Sequence, residues 1–361
     1  MDFVIADRIK ALRDYIKDRG LDGVLVSKLE SLHYFSGFTG DDTMLVVSGD
    51  DAVIVTDFRY VEQAQLESPE YRIAKQETGL LLRVSEVIKE LGINNVGFEG
   101  ASLVFDWYGK LSELLGDNIS MKSIELNSLR QIKDEEELQC IRKAVAISDR
   151  AFEDIITFIK PGISENEVAA RLESVMRTLG SQRPAFTTIV ASGKRGSLPH
   201  GTATEKLINA GEFVTMDYGA VYKGYHSDIT RTICVGHADD RQRDVYDAVL
   251  QAQLLGLSRV GPGASGKSVD GEVRKYLHER GYGKYFGHGL GHSLGLEIHE
   301  APTLSPRSTC EALQPNMLIT VEPGVYIPDW GGVRIEDTVL VTDTSREALT
   351  SVSKDLIELD V

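Results

Sequence analysis

Three observations predict an α/β domain followed by an α+β domain with an internal pseudo-twofold repeat. Short strand and helix patterns alternate through residues 1–125. Two twenty-residue segments, 161–180 and 262–281, each open on Pro-Gly, carry a helical pattern and close on Gly. Beyond each of them, past a histidine, comes a hairpin pattern bearing two carboxylates.

In the first domain Ile5, Ile9, Leu12 and Ile16 recur at helical spacing and Gly20 supplies a stop. GVLVS at 23–27 reads as a buried strand, and TMLVVS and DAVIVT flank a Gly49-Asp50 hairpin turn. Helical patterns follow at 58–66, 80–91 and 103–115, with the short strand NVGFE between the last two. Such alternation builds a layered α/β domain on a mixed sheet. No catalytic cluster stands out in it. His33, beside Tyr34 and Phe35, reads as a packed or surface histidine, and Asp57-Phe58-Arg59-Tyr60 specifies no chemistry.

The polar stretch 126–133 is expected to link this domain (1–125) to the second (134–361). Asp134 suits an N-cap, and Glu135, Glu136 and Glu137 suit the positive end of the helix that follows. In the first of the look-alike segments Ser164 and Glu167 form a capping-box signature; in the second Ser268 is the expected N-cap. A duplicated helix-plus-hairpin unit accounts for both.

The first hairpin, FVTMDYGAVYKGYHSDITRTICV, turns at Lys223-Gly224. Asp217 and Asp228 are equidistant from a centre between Tyr222 and Lys223, so a symmetric hairpin opposes them with Cβ atoms about 5 Å apart. Two facing carboxylates repel unless a proton or cation lies between them, and a hard divalent metal fits such a pair. In the second hairpin, MLITVEPGVYIPDWGGVRIEDTVLV, Glu322 and Glu336 are equidistant from Asp329. Asp337 should point to the opposite face, and Arg334, two before Glu336, to the same one. Between the hairpins GHGLGHSLGLEIHE (287–300) carries His288, His292 and His299. Gly287, Gly289, Gly291 and Gly295 within it disfavour a helix.

Composition excludes several other roles. A net charge of −16 disfavours nucleic acid or an anionic membrane as partner. No run of apolar residues is long enough to span a bilayer. The opening MDFVIADRIK lacks the basic-then-apolar order of a secretion signal. Cys140, Cys234 and Cys310 form no paired framework, as expected of a protein in a reducing cytoplasm.

The segments SLPHGT, MDYGA, GYHSDITRT, GHGLGHSLGLEIHE, TVEPGVY and GGVRIEDTVLV resemble the proline-specific pita-bread metallopeptidases, aminopeptidase P and prolidase. YFSGFTG and TDFRY extend the likeness to a creatinase-type N-terminal α/β domain. The resemblance implies two divalent ions held by Asp217, Asp228, His292, Glu322 and Glu336, with Asp228 and Glu336 bridging. It implies Mn²⁺, with Co²⁺, Fe²⁺ or Zn²⁺ as substitutes. Glu322 would also shuttle protons, His200 and His299 would be catalytic, and His288, Arg334 and Tyr326 would contact substrate or line its pocket. The activity implied is release of an N-terminal residue from a following proline in peptides, by an Xaa-Pro aminopeptidase; the alternative is a prolidase restricted to Xaa-Pro dipeptides. A homodimer is implied as well. Methionine aminopeptidase shares the metal fold without such a first domain, and metal-free relatives lose ligands that are all present here. His226 either supports Asp228 or is an ordinary strand histidine, Thr230 could bond a ligand carboxylate, and Arg307 either meets a peptide carboxylate or lies in a loop.

Overall fold

The computed structural model describes residues 3–360. The chain divides into two compact units, one ending at Arg130 and the next beginning at Gln131.

The first unit runs α1 (Phe3–Asp18), β1 (Gly23–Val26), α2 (Leu29–Ser36), β2 (Met44–Ser48), β3 (Ala52–Thr56), α3 (Val61–Glu67), β4 (Arg72–Lys75), α4 (Leu80–Glu90), β5 (Asn95–Glu99), α5 (Phe105–Leu115) and β6 (Ser120–Ile124). The sheet order is β4-β3-β2-β1-β5-β6. β1–β2 and β2–β3 are antiparallel, the remaining pairs parallel, so the sheet is mixed as expected. Val47 pairs with Ala52 across the Gly49-Asp50 turn. Leu25, Val46, Val55 and Val96 pack with Val84, Ile88 and Leu111 in one core. The two strands without a sequence signal, β4 and β6, are the sheet's edges. Their burial explains the silence: β4 buries one residue of four and β6 none. Edge strands of this kind carry polar residues that blunt unwanted pairing and erase the apolar alternation.

The second unit continues with α6 (Glu135–Phe158), α7 (Glu165–Thr178), β7 (Ile189–Ser192), β8 (Phe213–Tyr218), β9 (Val221–Tyr222), β10 (Tyr225–His226), β11 (Ile229–Val235), α8 (Asp240–Arg259), α9 (Gly266–Glu279), β12 (Gly291–Ser293), β13 (Glu300–Leu304), β14 (Leu318–Val321), β15 (Gly324–Ile327), β16 (Gly331–Arg334), β17 (Asp337–Val341), β18 (Arg346–Ala348) and β19 (Glu358–Leu359). The duplication is visible in the caps. α6 starts on Asp134 with a capping box to Glu137, and α8 on Asp239 with one to Gln242. Each long helix ends before a Pro-Gly whose glycine, Gly162 or Gly263, has positive φ, and a second helix follows. Ser164 caps α7 through a capping box with Glu167. The N-cap of α9 is Ser265 rather than Ser268, which lies inside the helix. Ser265 stands three residues after its Pro262, as Ser164 stands three after Pro161, and the first helical bond already runs from Val269 N–H to Ser265 O.

Each helix pair has its own core. Ile147, Phe152 and Leu172 pack on Val214, Met216 and Ile233. Val245, Val249 and Val273 pack on Ile319, Val321 and Val339. Strand alternation therefore sends Thr215, Asp217, Thr230 and Thr232 away from the first pair of helices, and Thr320, Arg334, Glu336 and Thr338 away from the second. The two helix-free faces meet. Thr232 Oγ1 donates to Arg334 O and accepts from Arg334 N–H, and Thr338 Oγ1 donates to Asp228 O.

Candidate metal centre

The first hairpin turns at Lys223 (φ 48°) and Gly224 (φ 84°), a two-residue turn of the type that matches strand twist. Its centre lies between these residues, one position later than the sequence symmetry suggested. Asp217 consequently faces Thr230, not Asp228, and the direct opposition of the two aspartates is not found. The pairing shifts by two, an even number, so both acids keep the same face and become diagonal neighbours. The second hairpin has the register expected around Asp329: Gly324 pairs with Arg334 and Val321 with Asp337. Glu322 and Glu336 stand across from each other in a gap between the two ladders. Their amides bond elsewhere, Glu322 N–H to Leu290 O and Glu336 N–H to Thr230 O. These two bonds seat the second hairpin against the glycine-rich segment and against β11.

The glycine-rich segment is not helical. A Cβ at Gly291 would lie 1.9 Å from Thr320 O, so only glycine lets β12 approach β14 this closely. That approach places His292. Its amide donates to Thr320 Oγ1, and its Nδ1–H donates to Ser293 O at 3.0 Å. The carbonyl holds the imidazole in the tautomer whose Nε2 lone pair is free, the form a metal ligand needs. Nε2 sits 3.4 Å from Glu322 Oε1 and 3.6 Å from Asp228 Oδ2. Burial lowers the His292 pKa and favours the neutral ring.

Ten of the residues singled out in the sequence line one cavity of about 900 Å³: His200, Asp217, Asp228, His288, His292, His299, Glu322, Tyr326, Arg334 and Glu336. Ligand atoms of Asp228, His292 and Glu336 all lie within 4.8 Å of one another. Burial, then repulsion from the other carboxylates, raises Asp228 and Glu336 well above the usual carboxylate range. Burial pushes Glu322 up to about 8. Asp217 Oδ1, Asp228 Oδ1 and Glu336 Oε1 are buried without a hydrogen-bond partner. Buried carboxylate oxygens are costly to leave unpaired. One imidazole and several carboxylates with orphaned oxygens form a donor set that fits divalent cations.

Around these atoms runs a chain of donors. Arg334 donates from Nη2 to Asp217 Oδ2 at 2.6 Å, from Nε to Thr230 Oγ1 at 3.0 Å and from Nη1 to Tyr326 OH at 2.8 Å. Thr230 Oγ1 donates onward to Glu336 Oε2 at 2.7 Å. Tyr326 OH donates to His288 Nε2 at 2.9 Å, whose Nδ1–H is given to Gly289 O. Burial holds His288 down to about 4, as an acceptor ring requires. The His299 ring lies edge-on to His292, with centroids 4.4 Å apart.

Three residues fall outside this centre. His226 does not line the cavity; its Nδ1–H donates to Gly295 O, and Nε2 meets Arg183 Nη2 at 3.4 Å. Arg307 is exposed and does not line it either. Asp337 points to the opposite face, where Arg231, Gln253 and Lys354 bond its carboxylate. Sequence reasoning missed Thr320, which joins His292 N–H to Glu322, although its place two before Glu322 on the same strand face was a usable signal.

The comparisons with known proteins agree. Residues 139–343 match the profile of metallopeptidase family M24, and residues 8–132 that of the creatinase/prolidase N-terminal domain. The chain is 38% identical over 363 residues to an Xaa-Pro dipeptidase of Pyrococcus horikoshii, covering 98% of this chain and 99% of that one. It superposes with a TM-score of 0.95 on the structure of an Xaa-Pro dipeptidase from Bacillus anthracis, at 44% identity over 98% of this chain and 100% of the other. An X-Pro aminopeptidase from Thermotoga maritima superposes with a TM-score of 0.88 at 35% identity, covering 94% and 98%. With a creatinase-type domain in front of a pita-bread domain whose acids, histidines and glycines converge as described, this chain belongs to metallopeptidase family M24 and is a peptidase of that family.

Proposed function

We propose that the chain is an Xaa-Pro dipeptidase, the alternative to the aminopeptidase activity first expected from the sequence. The observation that carries the hydrolytic reading is the single cavity in which Asp228, His292 and Glu336 crowd together with orphaned carboxylate oxygens. The likeness to dipeptidases over essentially their whole length supports the narrower substrate range. Asp217, Asp228, His292, Glu322 and Glu336 would hold two divalent ions, Mn²⁺ by preference. When bound, such a pair supplies hydroxide near neutral pH and polarises a carbonyl.

The protein's own groups do the rest. Glu322, which lines the cavity within 3.4 Å of His292 Nε2, would take up and return a proton at its carboxylate. His200 and His299 line the cavity and would donate hydrogen bonds to the carbonyl oxygen as negative charge develops on it. Arg334 neutralises Asp217 and fixes Tyr326, which in turn fixes His288, so one pocket wall is rigid before substrate enters. The reading places the enzyme in the cytoplasm as a homodimer acting on proline-containing peptides. Hydrolysis of Ala-Pro against Ala-Pro-Ala, with Mn²⁺, Co²⁺, Fe²⁺ and Zn²⁺ restored in turn, tests it. At least about tenfold higher kcat/KM for the dipeptide is expected, a difference of about 1.4 kcal/mol. Equal or faster cleavage of the tripeptide would return the aminopeptidase reading.

A further inference from the structure

We propose that Glu165 is a positioning residue for His200: its buried carboxylate ties together both ends of the loop that carries the histidine. The proposal rests on the reading of His200 as a catalytic group and names what places it. His200 is exposed on the cavity wall, and among the described residues no hydrogen bond holds its ring. His288 and His292, by contrast, each give Nδ1–H to a carbonyl. The position of His200 is therefore inherited from its main chain.

That main chain runs from Ser192, the last residue of β7, to Thr204. Glu165, the first residue of α7, is fully buried. Its Oε1 accepts from Ser192 N–H at 2.8 Å and from Ser192 Oγ at 2.9 Å. Its Oε2 accepts from Thr204 N–H at 3.2 Å, from Thr204 Oγ1 at 2.7 Å and from Arg195 Nη1. Arg195 reaches on through Nη2 to Thr202 O at 2.8 Å. One carboxylate thus holds the residue before the loop, the residue after it and an arginine within it. Charge-assisted bonds of this kind are short and geometrically specific. Desolvation offsets most of the attraction in a buried ion pair, so its gain lies in geometry more than in stability. Two close approaches seat the middle of the loop. A Cβ at Gly201 would meet Ala191 Cβ at 3.0 Å, and a Cβ at Gly332 would meet Gly196 O at 2.1 Å. The loop therefore lies directly on β7 and on β16, the strand that ends in Arg334.

The internal repeat isolates the role of the side chain. Ser164 and Ser265 are matching N-caps, so Gly266 stands where Glu165 does. A Cβ at Gly266 would lie 2.4 Å from Thr303 O in β13, the strand that starts directly after His299. In the second half the helix start meets the chain after its histidine without any side chain. In the first half main-chain bonds reach only the far end of the loop, from Asn166 N–H to Thr204 O and from Glu165 N–H to Lys206 O. The carboxylate adds the near end at Ser192.

Hydrogen exchange of the metal-free protein and a double-mutant cycle on the metal-loaded enzyme test this. Glu165→Gln keeps the shape but turns one acceptor oxygen into a donor among donors. Amides of 193–203 should exchange at least about tenfold faster in it, with those of β11 and β14 unchanged. Bound metal should stay at the wild-type level. kcat should fall about ten- to a hundredfold, with KM within about threefold. In the His200→Ala background the same change should slow turnover less than about twofold, because the group it positions is gone. Damage unrelated to His200 would slow both backgrounds alike. Thr204→Val removes one bond at the far end and leaves the acid its other donors; it should show the same pattern at about threefold, and it carries the test if Glu165→Gln does not fold. The cycle uses whichever of Ala-Pro and Ala-Pro-Ala the wild type cleaves faster, so it does not depend on substrate range. Unchanged exchange of the loop, loss of metal, or equal slowing with and without His200 would overturn the proposal. Should His200→Ala keep full turnover, the catalytic reading of His200 falls by that result, and the exchange data still decide whether Glu165 ties the loop.

Discussion

The two acid-bearing hairpins follow one plan and execute it differently. The first closes on a two-residue turn, pairs Asp217 with Thr230, and leaves Asp228 in a break of the ladder. The break is set by Gly219, where a Cβ would lie 1.9 Å from Ser227 O. The second closes on a longer turn around Asp329 and leaves both Glu322 and Glu336 in the break, across from each other. Direct opposition is thus not what brings four acids together. Each hairpin needs only that its two acids share the face turned from the helices and that its ladder opens nearby, so that main-chain bonds from the other half can pull the acid-bearing strands together.

That comparison breaks most severely at the centre. Asp228 stands where both halves meet, whereas His200 and His299 border the same cavity without belonging to the close-set ligand group. Asp228→Ala should lose bound metal and activity together, by more than about 10³-fold. His200→Ala and His299→Ala should keep metal and lose about 10²–10³-fold in kcat, the usual effect of one missing donor or proton-transfer group. Metal stoichiometry measured beside kcat for the three variants decides. A histidine variant that lost metal as fully as Asp228→Ala would redraw the ligand set.

The next effect is on stability. Gly219→Ala drives a methyl into a main-chain carbonyl at the break of the first hairpin, and the strands must part to admit it. A loss of about 3 kcal/mol is expected in denaturant unfolding of the metal-free protein, at the upper end for overpacking. A loss below about 1 kcal/mol would show that the break is pliable and that the ligand geometry of the first half is set elsewhere.

The smallest effect separates the two helix starts. Ser164 accepts from Glu167 N–H and is bonded back by Glu167, whereas Ser265 at the matching place makes no side-chain cap bond. Ser164→Ala should cost about 1 kcal/mol and Ser265→Ala a few tenths at most. Equal costs, read from the same unfolding curves, would mean that Ser265 caps α9 in solution as Ser164 caps α7.

What was legible in the sequence was local or periodic. Capping boxes, the Pro-Gly and Gly boundaries of α7, and the Gly49-Asp50 turn depend on residues within a few positions of one another. The shared face of Glu322, Arg334 and Glu336 follows from strand alternation alone, and counting from Asp329 recovered their register. The glycines of 287–300 announced a segment that could not be a helix, and Gly291 shows why: a neighbouring carbonyl fills the space of its side chain. Two other features were decided by packing. The edge strands β4 and β6 exist because β3 and β5 offer them open ladders, not because their own residues ask for burial. His226 shares the parity of Asp228 yet is drawn aside by Gly295, a partner 69 positions away. The register of the first hairpin turned on which peptide of the turn is its centre, a choice the left-handed backbone of Lys223 and Gly224 settles and residue counting does not. Sequence alone determined which side chains could face the same way. Only the tertiary structure, through bonds such as Glu336 N–H to Thr230 O and Thr338 Oγ1–H to Asp228 O, decided that they converge on one cavity, because alternation and caps act over a few residues while convergence needs contacts between halves about a hundred residues apart.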